Sequence, residues 1–346
     1  MRGLAILGVL LYHALATLPG SFRQQFAGLE RVAELGQYGV HLFFVLSGFL
    51  ITGILLDSRE RPDYYRRFFF RRALRIVPAY VLVIAGLKIA GAISWRYVAV
   101  CLLYLCNLAG LLGASNEYGP LWSLSVEEQF YLVWPFVVRH LRRRQLAILS
   151  VLLIFAIPAL RYFLQFAPAT FNDIRFKTWA VADFFAAGAL LALFVRREPP
   201  FHRVLMWASL LCAAGGTAVV LVDTLLDQTT TAAQALALCP YVILFSGALL
   251  GAYAAPLRVT SSAIARVFAF FGDISYGLYL IHQYVFIRVQ TFRDRLPHAQ
   301  SLSNVVLSIA LEFGIAIALA TLSRRTFEAW FLSLKRTKPP SITSSK

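Results

Sequence analysis

Residues 121–138, LWSLSVEEQFYLVWPFVV, are apolar enough to cross a bilayer, yet Glu127 and Glu128 stand side by side in their first half. How that pair is read decides how often the chain crosses. A charged residue at the bilayer centre costs about 2.5–3.5 kcal/mol on insertion scales, so two adjacent carboxylates call for a polar cavity or an interface. The stretch is one of eleven apolar runs of roughly span length: 3–19, 38–56, 76–94, 97–113, 121–138, 146–164, 178–195, 204–222, 235–255, 268–290 and 303–322. A hydrocarbon core about 30 Å thick needs roughly 20 apolar helical residues, with about 17 tolerated. Composition agrees: of 346 residues, 59% are hydrophobic and only 14% charged, against about 25% charged in soluble domains. The expected architecture is an all-α, polytopic integral membrane bundle, with one membrane domain over 1–323 and a basic tail over 324–346. The first run reads as a span and not as a cleavable leader, because only Arg2 serves as a basic lead-in and no small-residue cleavage pattern follows.

The net charge of +16 sits between the apolar runs. It therefore reads as a signal for orientation and for acidic lipid headgroups, with no nucleic acid implied. If 57–75, DSRERPDYYRRFFFRRALR, is cytoplasmic, so is the N-terminus. The basic loops 139–145, 196–203 and 256–267 and the tail join it only if an even number of crossings separates residue 75 from 139. Three apolar runs lie there. The glutamates make 121–138 the run expected to insert only partly, which gives about ten crossings with both termini cytoplasmic. The alternative is eleven crossings with RHLRRRQ, 139–145, outside. Loops 20–37, 165–177 and 223–234 then shape an outer mouth. The four cysteines lie in apolar runs with neither zinc nor disulfide-framework spacing and read as small hydrophobes. No metal-ligand set is visible.

Five stretches carry polar groups that packing alone does not explain. In MRGLAILGVLLYHALATLPG, residues 1–20, Arg2 and His13 share a helix face about 16 Å apart. Arg2 falls at the cytoplasmic interface and His13 near mid-membrane, where an ionisable group warrants a functional hypothesis with a named partner. In YGVHLFFVLSGFLIT, 38–52, Ser47-Gly48 reads either as a close helix contact or as a thin wall beside a ligand channel. In RRALRIVPAY, 71–80, Arg72 and Arg75 stand three apart at a membrane entrance. That arrangement marks topology and also suits a phosphate-rich ligand from the cytosol. A carboxylate from Glu127 or Glu128 placed near His13 can fix its tautomer and stabilise its imidazolium. In FFGDISYGLYLIHQYVF, 270–286, Ser275, Tyr276, Tyr279 and His282 form a polar stripe on an aromatic span.

Together these stretches resemble the acyltransferase-3 family of bacterial membrane acyltransferases, in order from Arg2 to about residue 323. The family's arginine, ten residues, histidine pattern falls on Arg2 and His13. Its Ser-Gly-Phe helix falls on Phe43 to Phe49 with Ser47, its arginine pair on Arg72 and Arg75, and its Trp-Ser-Leu and glutamate segment on Trp122 to Tyr131 with Glu127. The late pattern falls on Ser275, Tyr276, Tyr279, Leu280 and His282. Family members usually carry an Asp-Gly lead-in before the arginine, where this chain has only Met1. The resemblance implies transfer of an acyl group, most often acetyl, from cytosolic acyl-CoA to a hydroxyl of a cell-surface glycan, its precursor or another glycosylated acceptor. It implies a bacterial inner (cytoplasmic) membrane protein whose partners are acyl-CoA, a carbohydrate-containing acceptor and the bilayer, with no permanently bound cofactor. On that reading His13 is the general base and Glu127 orients it. Arg2, Arg72 and Arg75 hold coenzyme phosphates, and Ser47, Trp122, Tyr276 and His282 complete the binding surface. A glycan or lipid transporter would be expected to carry an inverted repeat, and none is evident. An acyl-relay subunit serving a separate extracytoplasmic transferase is the other alternative.

Overall fold

The computed structural model describes residues 1–25, 34–166, 176–225, 230–255 and 262–334. Parts of the three loops expected to shape an outer mouth, of the basic loop 256–267 and of the tail lie outside these residues. The described residues form helices and no strands. Those of seven or more residues are α1 (Arg2–Ala16), α2 (Gly39–Asp57), α3 (Tyr64–Ile89), α4 (Trp95–Leu102), α5 (Leu121–His140), α6 (Arg143–Leu164), α7 (Ala182–Val195), α8 (Phe201–Leu225), α9 (Cys239–Tyr253), α10 (Ala263–Arg293), α11 (Leu302–Arg325) and α12 (Phe327–Ser333). Six stretches are long and apolar enough to cross a membrane by length and composition: Leu35–Asp57, Arg143–Leu164, Phe201–Val222, Thr231–Tyr253, Ala263–Arg293 and Leu302–Ser333. Most of α2 is buried, whereas α6, α8 and α11 turn apolar side chains outward, Phe155 being 74% exposed. In a soluble protein such a surface would be a liability; here it faces lipid. The chain is a multi-pass membrane protein.

The run that the structure breaks is not the one singled out in the sequence. Residues 121–138, expected to insert partly, lie in one unbroken 20-residue helix, α5, about 30 Å long. Residues 97–113, expected to be a span, are broken instead. They comprise the end of the eight-residue α4, a turn at Tyr104 with φ 54°, and a 3-10 segment, Cys106–Leu112, that closes on Gly113 with φ 64°. Eight residues reach only about 12 Å. Non-helical backbone inside a membrane protein persists only where side chains satisfy it, and α5 supplies them. Ser125 Oγ accepts from the Cys106 amide at 3.1 Å, and Gln129 Nε2 donates to the Tyr104 carbonyl at 2.8 Å. The glutamates sit in the same helix that repairs the dipping segment.

The basic loops converge on one end of the bundle. Arg59 donates to the Arg139 carbonyl at 3.0 Å, Arg139 lies over the Tyr64 ring, and Asp57 pairs with Arg196 at 2.7 Å. The chain segments around residues 57–64, 139 and 196 therefore share this basic end. By chain direction, 90–121 and 176–182 lie at the far end.

Two devices pull the central helices together. At the crossing of α2 and α7 the backbones almost touch: a Cβ on Gly48 would stand 2.1 Å from the Phe185 carbonyl oxygen, and one on Gly188 would stand 2.0 Å from that of Val45. The close-contact reading of Ser47-Gly48 holds for the glycine. Between α6 and α7, the fully buried Arg161 pairs with Asp183 at 2.8 Å and donates to the carbonyls of Ala180 and Ala235. Such a pair specifies which helices meet, because removing one partner strands a buried charge at about 3–5 kcal/mol. Gly48→Ala is expected to lower the detergent unfolding temperature markedly. Gly86→Ala, which meets nothing within 4 Å, is expected to leave it unchanged or raise it. Equal effects would remove the backbone contact as a determinant of packing.

Candidate functional site

The basic end opens into a cleft of about 670 Å³, its mouth included. Five helices build it. Arg2 enters from the start of α1, Ser47 from α2 and Arg72 with Arg75 from α3. From α5 come Glu127 and Tyr131, one turn apart, and α10 adds Ser275, Tyr276 and Tyr279. Glu127 is the hinge of the arrangement. Its Oε1 accepts from Ser47 Oγ at 3.1 Å, its Oε2 accepts from the Tyr131 hydroxyl at 2.6 Å, and Arg72 Nη2 lies 4.0 Å from Oε2. The Arg72 guanidinium is stacked over the Tyr131 ring, 3.6 Å from its centroid. Three guanidinium groups thus face the cleft with one carboxylate among them, which leaves it net positive. Arg72 Nε is buried without a hydrogen-bond partner among the described residues. A planar, always-charged donor held this way suits bidentate binding of phosphate.

Beyond the inner end of the cleft lies a second polar cluster. Ser123 Oγ and the Tyr279 hydroxyl meet at 2.7 Å, and the Tyr279 ring lies 5.6 Å from that of His282. His282 is fully buried and its ring stands 4.9 Å from that of His13. Carbonyl oxygens can only accept, so the Val9 carbonyl, 2.9 Å from His13 Nδ1, places a proton there. The Tyr279 carbonyl, 2.8 Å from His282 Nδ1, does the same. His282 Nε2 then turns its lone pair toward His13 Nδ1 at 3.4 Å. The lone pair on His13 Nε2 is left uncommitted, the state a general base requires.

Six of the nine residues singled out in the sequence (Arg2, Ser47, Arg72, Arg75, Glu127 and Tyr276) meet in the cleft. Three placements differ from expectation. Glu127 does not bond to His13; α5 turns it toward α2 and α3, and the carbonyl of Val9 fixes the tautomer instead. His282 lines no part of the cleft and is the partner of His13. Trp122 also stays out of the cleft and faces a cavity at the far end. Tyr131 and the Ser123–Tyr279 contact were missed. Tyr131 was within reach, since it stands one helical turn after Glu127.

The bundle thus carries a cationic, partly buried cleft at one end with a histidine pair near it. Residues 1–323 match the family model described as an acyltransferase domain, acyltransferase-3, and the chain belongs to that family. Among named proteins it is similar to the peptidoglycan O-acetyltransferase OatA of Listeria monocytogenes, 33% identical over 154 residues, covering 39% of this chain and 22% of that protein. It is also similar to nodulation protein 10 of Rhizobium leguminosarum bv. viciae, 34% identical over 128 residues, 30% of this chain and 34% of that one. A third relative is YrhL of Bacillus subtilis, named a putative peptidoglycan O-acetyltransferase, 30% identical over 183 residues, 44% of this chain and 26% of that one. The chain thus matches about a quarter to a third of the length of these relatives. No solved structure matches it.

The hinge role of Glu127 is testable without a substrate. Glu127→Ala leaves the Ser47 and Tyr131 hydroxyls, 2.8 Å apart, only each other and strands one buried donor, at about 1–3 kcal/mol for a buried unsatisfied group, whereas Glu127→Gln keeps an acceptor in place. The alanine variant is expected to unfold at a clearly lower temperature than the glutamine variant; coincident curves would show that the carboxylate does not organise the cleft.

Proposed function

We propose that the protein transfers an acyl group, acetyl in the simplest case, from acyl-CoA entering the basic cleft to a hydroxyl of a saccharide reaching the bundle from the far end. The observation that carries this reading is the stacking of two unlike sites: a cleft with three guanidinium groups, and the uncommitted imidazole nitrogen of His13 just past its inner end. The names of the relatives, two of them peptidoglycan O-acetyltransferases, support a glycan as acceptor. Arg2, Arg72 and Arg75 hold the phosphates of the coenzyme. His13 Nε2 takes the proton of the acceptor hydroxyl as its oxygen attacks the thioester carbonyl. The new C–O bond forms, the tetrahedral centre collapses, the C–S bond breaks, and the proton passes from the imidazolium to the departing thiolate. During this exchange the Nδ1–H of His13 stays on the Val9 carbonyl, with His282 Nε2 as a second, longer acceptor at 3.4 Å that steadies the charged ring, so His282 is a positioning residue. Glu127 holds Arg72 and Tyr131 in place and does not act on His13.

By the charge rule, the basic end faces the cytoplasm of a bacterial inner membrane. The ten helices of 14 residues or more then cross it, and α4 with its 3-10 continuation dips in from outside. A cysteine placed at Arg142 is expected to react only from the cytoplasmic side and one at Ser115 only from outside; the opposite pattern, or one shared side, would overturn the orientation. For the chemistry, the full chain in nanodiscs is given acetyl-CoA and a tetramer of N-acetylglucosamine. His13→Ala is expected to cut transfer by about 10²–10⁴, the usual worth of a general base, with an unchanged unfolding temperature. Paired Arg72→Ala and Arg75→Ala should raise the KM for acetyl-CoA at least tenfold. Full activity in the histidine variant would sink the mechanism.

A further inference from the structure

The far end of the bundle holds a second built cavity, lined differently from the first. It measures about 690 Å³ with its mouth, and its wall includes Trp122, Phe176, Asn107, Asn116, Ser115 and Lys177. Asn107 and Lys177 are buried at 3% and 5% exposure. Both are locked in place: Lys177 Nζ donates to the Asn107 carbonyl at 3.0 Å, Asn107 Nδ2 donates to Thr178 Oγ1 at 2.9 Å, and Asn107 Oδ1 accepts from Gln129 Nε2 at 2.9 Å. At the rim, Asn116 Oδ1 is held by the Tyr97 hydroxyl at 2.7 Å, while its NH₂ donates to no described residue. The Ser115 hydroxyl is likewise open at the exposed rim.

The depth and position of this cavity matter as much as its chemistry. The dipping segment after α4 carries Asn107 down to Gln129, two residues past Glu127 and so about 3 Å further along α5. The first turn of α5 divides the two sites: Trp122 faces the far cavity, while Ser123 and Leu124 face the basic cleft. Ser123 bonds Tyr279, whose ring adjoins His282 and through it His13. A molecule seated on Trp122 is therefore next to the wall behind which the histidine pair stands.

We propose that this cavity is a saccharide-binding subsite, taking a sugar ring of the acceptor; the assignment rests on the acyl-transfer reading above and names where its second substrate is held. Amide and hydroxyl groups around aromatic side chains match a ring that presents hydroxyls at its edge and C–H groups on its face. Pockets of this kind combine apolar walls with a few placed polar groups. A phosphate-rich ligand fits the basic cleft instead, where three guanidinium groups gather.

The test uses the full chain in nanodiscs with the N-acetylglucosamine tetramer as probe. Its binding is measured by equilibrium dialysis, and its KM and that of acetyl-CoA by transfer assay. Asn116→Ala combined with Ser115→Ala is expected to weaken tetramer binding and raise its KM by about tenfold, the loss of one or two hydrogen bonds. The KM for acetyl-CoA and the unfolding temperature should not move. Trp122→Phe, which keeps an aromatic wall, should weaken tetramer binding less than Trp122→Ala. Unchanged tetramer affinity in the double variant, or no binding to the parent protein, would overturn the subsite. If the parent protein binds the tetramer through these residues and transfers nothing, the subsite stands and the acyl-transfer reading falls. If transfer proceeds and the double variant alters only acetyl-CoA kinetics, the reverse holds.

Discussion

A carboxylate inside a membrane bundle must be held by donors or it does not stay there, and Glu127 is held from three directions. Ser47 on α2, Arg72 on α3 and Tyr131 on α5 all converge on it. None of those helices can shift without exposing a buried charge or hydroxyl in a medium that offers little to replace the lost bond. The cleft follows from that constraint. Arg72 is drawn inward to the carboxylate and lies flat on Tyr131, and its Nε is left facing no protein partner. The feature that secures the bundle therefore also leaves one strong donor unspent.

The dipping segment after α4 obeys the same rule with different groups. Its carbonyls and amides are met by Ser125, Gln129 and Lys177, none of which carries a net negative charge. Successive polar residues of α5 thus serve different neighbours: Ser123 meets α10, Ser125 and Gln129 meet the dipping chain, and Glu127 meets α2 and α3. One helix with five polar side chains in the seven positions from Ser123 to Gln129 organises both ends of the protein. That is why its sequence looks so polar and yet forms one unbroken 20-residue helix.

Much of this was legible in the sequence, and the failures have a common physical origin. The apolar runs marked the membrane class and most of the helices, because burial in lipid writes itself into composition over about 20 residues. The basic loops marked the end at which they gather, and Arg2, Arg72, Arg75, Ser47, Glu127 and Tyr276, named together from the sequence, line one cleft. The sequence expects 121–138 to insert only partly because a count of charges penalises Glu127 and Glu128. Such a count cannot see Ser47, Tyr131 and Arg72 arriving from elsewhere in the chain. It also rated 97–113 as a span because it weighs composition and not continuity. The turn at Tyr104 breaks the helix there while nearly all the side chains of the run stay apolar. Periodicity placed His282 on a polar stripe but could not say which helix that stripe meets.

The pairing of His13 with His282 and not with a carboxylate changes what the site can do. A carboxylate partner would stabilise the imidazolium strongly and raise the basicity of the ring, and it would also bring a fixed negative charge to the edge of the cleft. A neutral histidine offers a weaker acceptor and no charge. On the proposed reading, in which an anionic coenzyme enters from one side, that exchange has a rationale: the negative charge stays with Glu127, where Arg72 and two hydroxyls restrain it. The base is instead oriented by a backbone carbonyl of its own helix. On the proposed acyl-transfer reading, the general base then depends on the position of α1 against α10 more than on any ion pair. That reading places the electrostatics of donor binding and the geometry of proton transfer on different helices, so a change in the α1–α10 contact would reach His13 while leaving the Glu127 network intact.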